Sequence, residues 1–260
     1  MNTPELAVGQ WTHDDAVVVV PSGRLDVYTY PQLRDVLLKS AAEAPAALVI
    51  DLFDLSVDRI STLSLFPTVW MRTTVWPGVP LLLAGAGAEL ALMLARSAVP
   101  RFLPCHPTVV GALNAIGAPP PRRRAEIELP PTVGSSRVAR AWVAEQLQRF
   151  GVSGCEAAIL VATELVENSV QHAGTPLRLR LELHCAGLSV AVADGDPTRP
   201  VISRHGTVGT RFGMALVEVF ARAWGHSPRA AGGKVVWAVL AVPGGPGGPL
   251  QPGHASVPLS

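Results

Sequence analysis

Residues 156–173 read EAAILVATELVENSVQHA, and this segment has the pattern of a helix. Its apolar side chains recur at steps of three and four residues, which is the period of an amphipathic helix with one buried face. The positions predicted to face the core are Ala157, Leu160, Val161, Leu165 and Val170.

Polar residues occupy another face of the same predicted helix. Glu164, Asn168 and His172 are spaced i, i+4 and i+8, so they lie above one another along the helix. Oxygen ligands from Glu and Asn suit a hard cation, and a Glu at the edge of a site can act as a general base. The alternative is a solvated polar face opposite the core, and this segment alone leaves both open.

Composition limits the classes of protein to consider. The chain has 260 residues, of which 48% are hydrophobic and 16% charged, with a net charge of +1. This predicts folded domains with no bulk attraction to nucleic acid or to an anionic membrane.

We find no run of about 18 apolar residues, so no transmembrane helix is expected. The N-terminus MNTPELAVGQ has no secretory pattern, and Cys105, Cys155 and Cys185 form no Cys-x-x-Cys pair. Free thiols and a cytoplasmic location are therefore expected.

The first half alternates predicted strands and helices. The strands are predicted at 16–20, 46–52 and 79–85, and the helices from Tyr30 and at 60–74, 88–96 and 106–117. Pro67 predicts a kink or a shortened helix within 60–74. The segment APPPRRRAE then interrupts the alternation with three prolines and three arginines, which is typical of an extended, solvated linker.

The second half combines helices with a hairpin. Strands are predicted at 125–130, 177–185, 188–194 and 234–242, and helices at 135–151, 156–173 and 212–224. Ser135 or Ser136 is expected to cap the first of these helices. We therefore predict an α/β and α+β chain of two domains, at 1–117 and 125–243, joined by a linker at 118–124 and followed by a disordered tail at 244–260.

Three features of the second half suit a nucleotide. Asp194-Gly195-Asp196-Pro197 follows a predicted strand, where a carboxylate can accept a hydrogen bond from an exocyclic amine; a plain Asp-Gly turn is the alternative. Gly206, Gly209 and Gly213 precede a predicted helix, where backbone N–H groups can approach a phosphate. Gly232-Gly233-Lys234 leads into the last strand and is the weakest of the three signals.

The motifs ELVENSVQHA, VADGDP, GTRFGMALVE, RAWG and GGKVVW together resemble the ATP-binding fold shared by gyrase-type ATPases and sensor histidine kinases, the GHKL superfamily. Within that group they look most like the anti-sigma factor protein kinases of partner-switching systems, over residues 125–243. The resemblance implies a GHKL-type α/β sandwich that binds ATP and Mg²⁺. It implies that Glu164 is the general base, that Asn168 is the Mg²⁺ ligand, and that Asp194 contacts the adenine amino group.

The same resemblance assigns the remaining site residues. It implies that Gly209, Arg211 and Gly213 belong to the loop over the phosphates, that Lys234 lies in the cofactor site, and that His172 is structural. Arg211 departs from the family, whose loop commonly has glycine at this position.

The first half resembles a STAS domain, the fold of the anti-sigma factor antagonists that such kinases phosphorylate. The similar segments are GRLDVYTYPQLRDVLLKSA and LVIDLFDLSVDRISTLSLF. In the family a serine at the start of the following helix accepts phosphate, but here the aligned residues are Arg59, Ile60, Ser61 and Thr62. Ser61 or Thr62 could be the acceptor after a slip of one residue, although helix capping is the alternative role. The resemblance thus implies a degenerate STAS module that binds a partner.

Together the two resemblances imply a cytoplasmic regulator that binds Mg-ATP. One expectation is a serine/threonine-protein kinase acting on an anti-sigma factor antagonist, an anti-sigma factor that binds a sigma factor, or both. The rival expectation is an ATP-gated binding scaffold without catalysis. We also expect a contact between the STAS and kinase halves of one chain and a homodimer, with no direct contact to nucleic acid or membrane.

Overall fold

The structure is a computed structural model, and it describes residues 6–116, 123–184, 187–198, 200 and 213–243. The chain divides into two compact units, with the division between residues 119 and 120. Each unit has one β-sheet and a hydrophobic core of its own. Among the described residues, no helix has the length and apolar character needed to cross a membrane.

The first unit is built on a six-stranded sheet. Its strands are β1 (Ala7–His13), β2 (Ala16–Leu25), β3 (Ala47–Asp51), β4 (Leu55–Val57), β5 (Leu81–Ala84) and β6 (Cys105–His106). The spatial order is β1-β2-β3-β5-β6, and β4 pairs with β2 beside this path. Only β1 runs antiparallel to its neighbour; the other pairs are parallel.

Helices cover both faces of this sheet. They are α1 (Tyr30–Ala42), α2 (Leu65–Val75), α3 (Ala88–Arg96) and α4 (Val109–Ala115), with short 3₁₀ helices at Ile60–Ser64 and Val99–Arg101. Helices α1, α2 and α3 share one core with the strands, and α4 packs in a second, smaller core on alternate strand residues. Burial on both faces explains why β3 and β5 are continuous apolar runs, as the sequence predicted.

Strand β2 is longer than predicted. It continues through Pro21, Ser22 and Gly23, beyond the predicted end at residue 20, and it ends at Leu25. The extension has partners on two sides, because Pro21 and Ser22 face β1 and Gly23 pairs with β4. Both of these partner strands were missed, since β1 is almost entirely exposed and β4 has only three residues.

The α-helix within 60–74 is shortened rather than kinked, which is one of the two outcomes that Pro67 predicted. A 3₁₀ helix occupies Ile60–Ser64, and α2 begins at Leu65, so Pro67 lies in the first turn of α2. The missing N–H of proline costs little there, because the first N–H groups of a helix have no partner within the helix. The helix predicted at 106–117 is also shorter, since His106 belongs to β6 and Thr108 caps α4 by accepting from the N–H of Gly111 at 3.0 Å.

The second unit is a five-stranded antiparallel sheet with helices. Its elements are β7 (Arg123–Leu129), α5 (Ser135–Arg149), α6 (Ala157–His172), β8 (Leu177–His184), β9 (Gly187–Asp194), α7 (Gly213–Phe220), β10 (Ala223–Pro228) and β11 (Lys234–Leu240). The sheet order is β10-β11-β9-β8-β7. One core joins α5, α6 and α7 to inward residues of the strands. The prediction of helices packed on a sheet in both halves is confirmed.

Opposite charges face each other across β7 and β8. The register places Arg124 opposite Glu182, Glu126 opposite Arg180, and Glu128 opposite Arg178. Directly opposed unlike charges stabilise an antiparallel pair. A shift of two residues would keep only one unlike pair and would place either Arg124 opposite Arg180 or Glu126 opposite Glu182. This pairing corrects one boundary of the sequence analysis: Arg123 and Arg124, assigned there to the linker, begin a strand.

Two further predictions in the second unit were wrong. Neither Ser135 nor Ser136 caps α5: Gly134 is at the cap position, and the hydroxyl of Ser135 donates to the carbonyl of Pro130. Helix α7 ends at Phe220 because the chain turns into β10, which the sequence analysis missed. The helical spacing of apolar residues continues to residue 224 in the sequence, but residues 223 and 224 instead form backbone pairs with β11.

Core packing in the first unit can be tested with two phenylalanines. Phe66 is fully buried, whereas Phe53 is 76% exposed. We expect Phe66→Ala to lower the free energy of unfolding by about 3–5 kcal/mol through loss of burial and creation of a cavity. Phe53→Ala should change it by no more than about 0.5 kcal/mol. Urea unfolding followed by circular dichroism measures both, and equal losses would contradict the described core.

Candidate functional site

Helix α6 supplies one wall of the candidate site. It spans Ala157–His172, so the predicted helix is confirmed almost to the residue. Its buried side chains are Ala158, Val161, Ala162, Thr163, Leu165, Val166 and Ser169. Leu160, which the spacing placed in the core, is instead 46% exposed. The apolar stripe is therefore rotated toward Ala158 and Ala162, whose small side chains let the helix pack closely against the sheet.

The polar face of α6 is retained at the expected positions. Glu164 and Asn168 are half-buried, and His172 is exposed in the last turn. The Nδ2 atom of Asn168 is buried and has no hydrogen-bond partner among the described residues. A buried amide group without a partner is costly, so this carboxamide is a natural place to look for a ligand.

Asp194 is the last residue of β9 and connects the sheet to α6. Its side chain is fully shielded from solvent. The hydroxyl of Ser169, the residue after Asn168, donates to Oδ2 of Asp194 at 2.9 Å. The ammonium of Lys234 and the backbone N–H of Asp196 both donate to Oδ1, each at 3.0 Å. The bond from Ser169 thus holds the end of β9 against α6, one residue along the helix from Asn168.

Lys234 lies opposite Asp194 in the ladder between β9 and β11. Besides Asp194, its Nζ donates to the backbone carbonyl of Asp196 at 3.0 Å and to Oδ2 of that residue at 3.3 Å. The Lys234 side chain is only 3% exposed. The ammonium is therefore held by two acidic residues, and a contact from it to a bound cofactor stays a prediction.

Asp196 completes this group of charges. Hydrogen bonds from the side chain and then from the backbone of Thr198 lower the pKa of Asp196 to about 2, with a further contribution from Lys234. Its carboxylate consequently stays ionised far below neutral pH. The N–H of Asp196 bonded to Asp194 also forms the local turn that the sequence analysis kept as the alternative role of Asp194-Gly195.

Glycines shape the backbone around Asp194. Gly233 has a φ of +74°, and a Cβ there would overlap the backbone carbonyl oxygen of Asp194. The N–H of Gly195 donates to Oγ1 of Thr175 at 2.9 Å, and a Cβ on Gly195 would lie 3.0 Å from the Thr175 methyl carbon. Close approach of these segments therefore requires both glycines.

The residues of the site are compatible with a magnesium nucleotide. The described part of the chain contains no cluster of three His, Cys, Asp or Glu residues able to hold a metal. Mg²⁺ commonly takes one or two protein ligands and completes its shell with phosphate oxygens and water. Asn168 suits such a role, because a 180° turn of its carboxamide exchanges the unpartnered Nδ2 with an oxygen ligand.

Asp194 has room for one further donor. An ionised carboxylate has about four acceptor positions. Three of them are used by Lys234, Asp196 and Ser169, which leaves one position on Oδ2. Since the side chain is fully shielded, an amine reaches this position only when a covering group moves.

The predicted phosphate loop is only partly described. Gly213 begins α7, and Met214 and Val217 of that helix share a core with Leu165 of α6. Gly209 and Arg211 lie outside the described residues, as does Gly206. Their predicted role over the phosphates stays a prediction.

The predicted phosphoacceptors lie in the 3₁₀ helix of the first unit. Thr62 is buried, and its hydroxyl donates to the carbonyl of Arg59 at 2.6 Å. Ser61 is exposed. The alternative capping role is wrong for both, since Arg59 is at the cap position and no side chain caps this helix. Of these two residues, Ser61 is exposed to solvent and Thr62 is not.

Sequence reasoning missed Ser169 and Asp196 as members of the site. Ser169 is fully buried on the apolar side of α6. A serine in that position needs a hydrogen-bond partner, and this requirement is the signal that would have found it. Asp196 was read only as part of a turn, because its link to Lys234 spans 38 residues.

Comparison with known proteins gives matches only among solved structures. No protein-family model matches the chain. No curated protein sequence matches it. An anti-sigma factor antagonist from Mycobacterium paratuberculosis is similar at 24% identity, over 44% of this chain and 96% of that one, with a TM-score of 0.37.

Two other matches have a similar extent. A STAS domain protein from Planctomyces limnophilus matches at 18% identity, over 42% of this chain and 97% of that one, with a TM-score of 0.37. The phosphorylated Bacillus cell fate determinant SpoIIAA matches at 17% identity, over 42% of this chain and 99% of that one, with a TM-score of 0.33. Similarity at this level does not assign a function.

Two neighbouring glycines test the close backbone approach at Asp194. Gly232 and Gly233 both have positive φ, but a Cβ on Gly232 would meet nothing within 4 Å. Gly232→Ala should therefore cost only the backbone strain, about 1–3 kcal/mol. Gly233→Ala adds the overlap with Asp194 and should lower the free energy of unfolding by clearly more. Urea unfolding of both variants measures the difference, and equal losses would rule out the close approach.

Proposed function

We propose that this chain is a nucleotide-binding regulator of the partner-switching type. Its second unit binds Mg-ATP and acts as a serine/threonine-protein kinase on an anti-sigma factor antagonist, as an anti-sigma factor on a sigma factor, or as both. The observation that carries the proposal is the hydrogen bond from Ser169 to Asp194, 2.9 Å long. It joins the helix of Glu164 and Asn168 to the strand end that presents Asp194.

Each residue of the site has a chemical role in this proposal. The carboxylate of Glu164 takes the proton of the attacking serine or threonine hydroxyl as its oxygen bonds to the γ-phosphorus and ADP leaves. Asn168 holds Mg²⁺, which when bound neutralises charge on the phosphates. The open position on Asp194 accepts the amino group of adenine. Gly209, Arg211 and Gly213 contribute to the loop over the phosphates.

The first unit acts as a protein-interaction module in this proposal. Tyr28, Phe53 and Ile60 follow β2, β3 and β4, and they are 87%, 76% and 45% exposed. Large apolar side chains exposed beyond the carboxyl ends of neighbouring parallel strands are typical of a protein-binding surface. Ser61, beside Ile60, is the accessible hydroxyl for regulation by phosphate, which would add about two negative charges. A contact between the two halves, a homodimer and a cytoplasmic location stay predictions.

A binding scaffold without catalysis is the second candidate. The full burial of Asp194 and its three bonded donors favour it. A carboxylate that already accepts three hydrogen bonds can have a purely structural role. Nucleotide binding would then be weak, or it would only switch the binding of a partner. The two candidates differ in whether phosphate is transferred, not in whether the fold is retained.

Calorimetric titration with ATP, with and without Mg²⁺, tests the proposed site. We expect micromolar binding by the wild type and a loss of about tenfold or more for Asn168→Ala, restricted to titrations with Mg²⁺. Asp194→Asn should weaken binding in both conditions, because a carboxamide presents an N–H group on one side. Glu145→Gln, an exposed carboxylate on α5, is the control. Circular dichroism confirms that each variant is folded.

Glu164→Gln separates the two candidate functions. It should bind ATP as tightly as the wild type and lose transfer of labelled phosphate to a purified anti-sigma factor antagonist. Binding without transfer, even by the wild type with such partners, would favour the scaffold. Absence of ATP binding by the wild type would overturn both candidates.

A further inference from the structure

The ammonium of Lys234 is unusual because all of its hydrogen-bonding capacity is used inside the protein. It has acceptors at 3.0 Å on Asp194 Oδ1, at 3.0 Å on the carbonyl of Asp196, and at 3.3 Å on Asp196 Oδ2. An ammonium group has three N–H donors, so none is left for a phosphate. With 3% of the Lys234 side chain exposed, rearrangement toward solvent would leave the buried carboxylate of Asp194 without its cation.

We propose that Lys234 is a positioning residue that determines which base the site accepts. The proposal rests on the proposed binding of a nucleotide. Lys234 and the N–H of Asp196 occupy Oδ1 of Asp194, and Ser169 occupies one position on Oδ2. The carboxylate is held in one orientation, with a single acceptor position left. That position accepts an N–H donor and disfavours a carbonyl oxygen, so a 6-aminopurine is preferred to a 6-oxopurine.

The sheet fixes this arrangement. Lys234 and Asp194 are directly opposed residues of β11 and β9, so the backbone ladder sets their separation. Gly233, the residue before Lys234, lets its backbone lie close to the backbone carbonyl of Asp194. Groups held by strands keep their geometry better than groups on loops, as a specificity device requires.

A direct phosphate contact predicts a different dependence on the ligand. If Lys234 contacted phosphate, its removal would weaken ATP far more than adenosine. If Lys234 acts through Asp194, its removal weakens both by the same factor and reduces discrimination between amino and oxo groups at C6.

Lys234→Met distinguishes these cases in titrations of the full chain with ATP, adenosine and inosine triphosphate. We expect at least a tenfold loss of affinity for both ATP and adenosine, and a fall in the preference for ATP over inosine triphosphate. Lys39→Met, in α1 of the first unit, changes the other lysine of the sequence and should leave all three affinities unchanged. Lys234→Arg keeps the charge and should recover part of the preference.

Two results would overturn the proposal: a loss confined to ATP, or a preference between ATP and inosine triphosphate that does not change. If the wild type binds no nucleotide, the proposed function itself fails. If it binds and Lys234→Met behaves like the wild type, only this inference fails.

Amine labelling of the wild type provides a test that needs no variant. Acetylation should modify Lys39 and leave Lys234 unmodified, as measured by peptide mass analysis. The extent of labelling at each lysine should be the same with and without Mg-ATP. The proposal would be overturned if Lys234 were labelled in the free protein and Mg-ATP prevented this labelling. Such a result would mean that the ammonium is accessible in the free protein and is covered by the bound ligand.

Discussion

The buried ion pair between Asp194 and Lys234 is the interaction on which the second unit depends most. Both side chains are shielded from water, and their charged atoms lie 3.0 Å apart. Removal of one partner from a buried pair typically costs about 3–5 kcal/mol, because the other charge is left in a poor environment. The pair therefore constrains the ends of β9 and β11, and the bond from Ser169 to Asp194 extends the same constraint to α6.

Other parts of the unit make this arrangement possible. The glycine at 233 lets the backbone pass close to Asp194, and Thr175 fixes the N–H of Gly195. Opposed charges on β7 and β8 set the register at the other end of the sheet. Because a shift of one residue would turn every inward side chain outward, these local features also determine which residues of the sheet face α6.

Strong periodicity made much of the fold predictable. Helix α6 and the hairpin of β8 and β9 have clear apolar patterns and a Gly-Thr-Pro break between them, so their existence and order followed from the sequence. Strand β1 has no alternating pattern of buried residues, and β4 is too short to show one. The first residues of β10 continue the helical spacing of apolar residues in α7. These strands form because neighbouring strands offer backbone partners, and the sequence of the strand itself does not carry that information.

The site was predictable to a similar degree. Glu164, Asn168 and Asp194 follow from local patterns, but the hydrogen-bond partners of Lys234 lie 38 and 40 positions away in sequence. A lysine at the start of an apolar strand suggested a ligand contact, whereas the structure gives it two acidic neighbours. Local spacing cannot distinguish these cases, since only the antiparallel register brings the strand ends together.

Paramagnetic broadening by Mn²⁺ tests most directly whether α6 and the end of β9 form one nucleotide site. Mn²⁺ replaces Mg²⁺ with ATP, and the side-chain amide signals of asparagine residues are followed by NMR. The account predicts that the Asn168 amide broadens beyond detection at low Mn²⁺ and only when ATP is present, with weaker broadening at the backbone of Asp194. An Asn168 amide that stays sharp with ATP, or that broadens equally without it, would contradict the account.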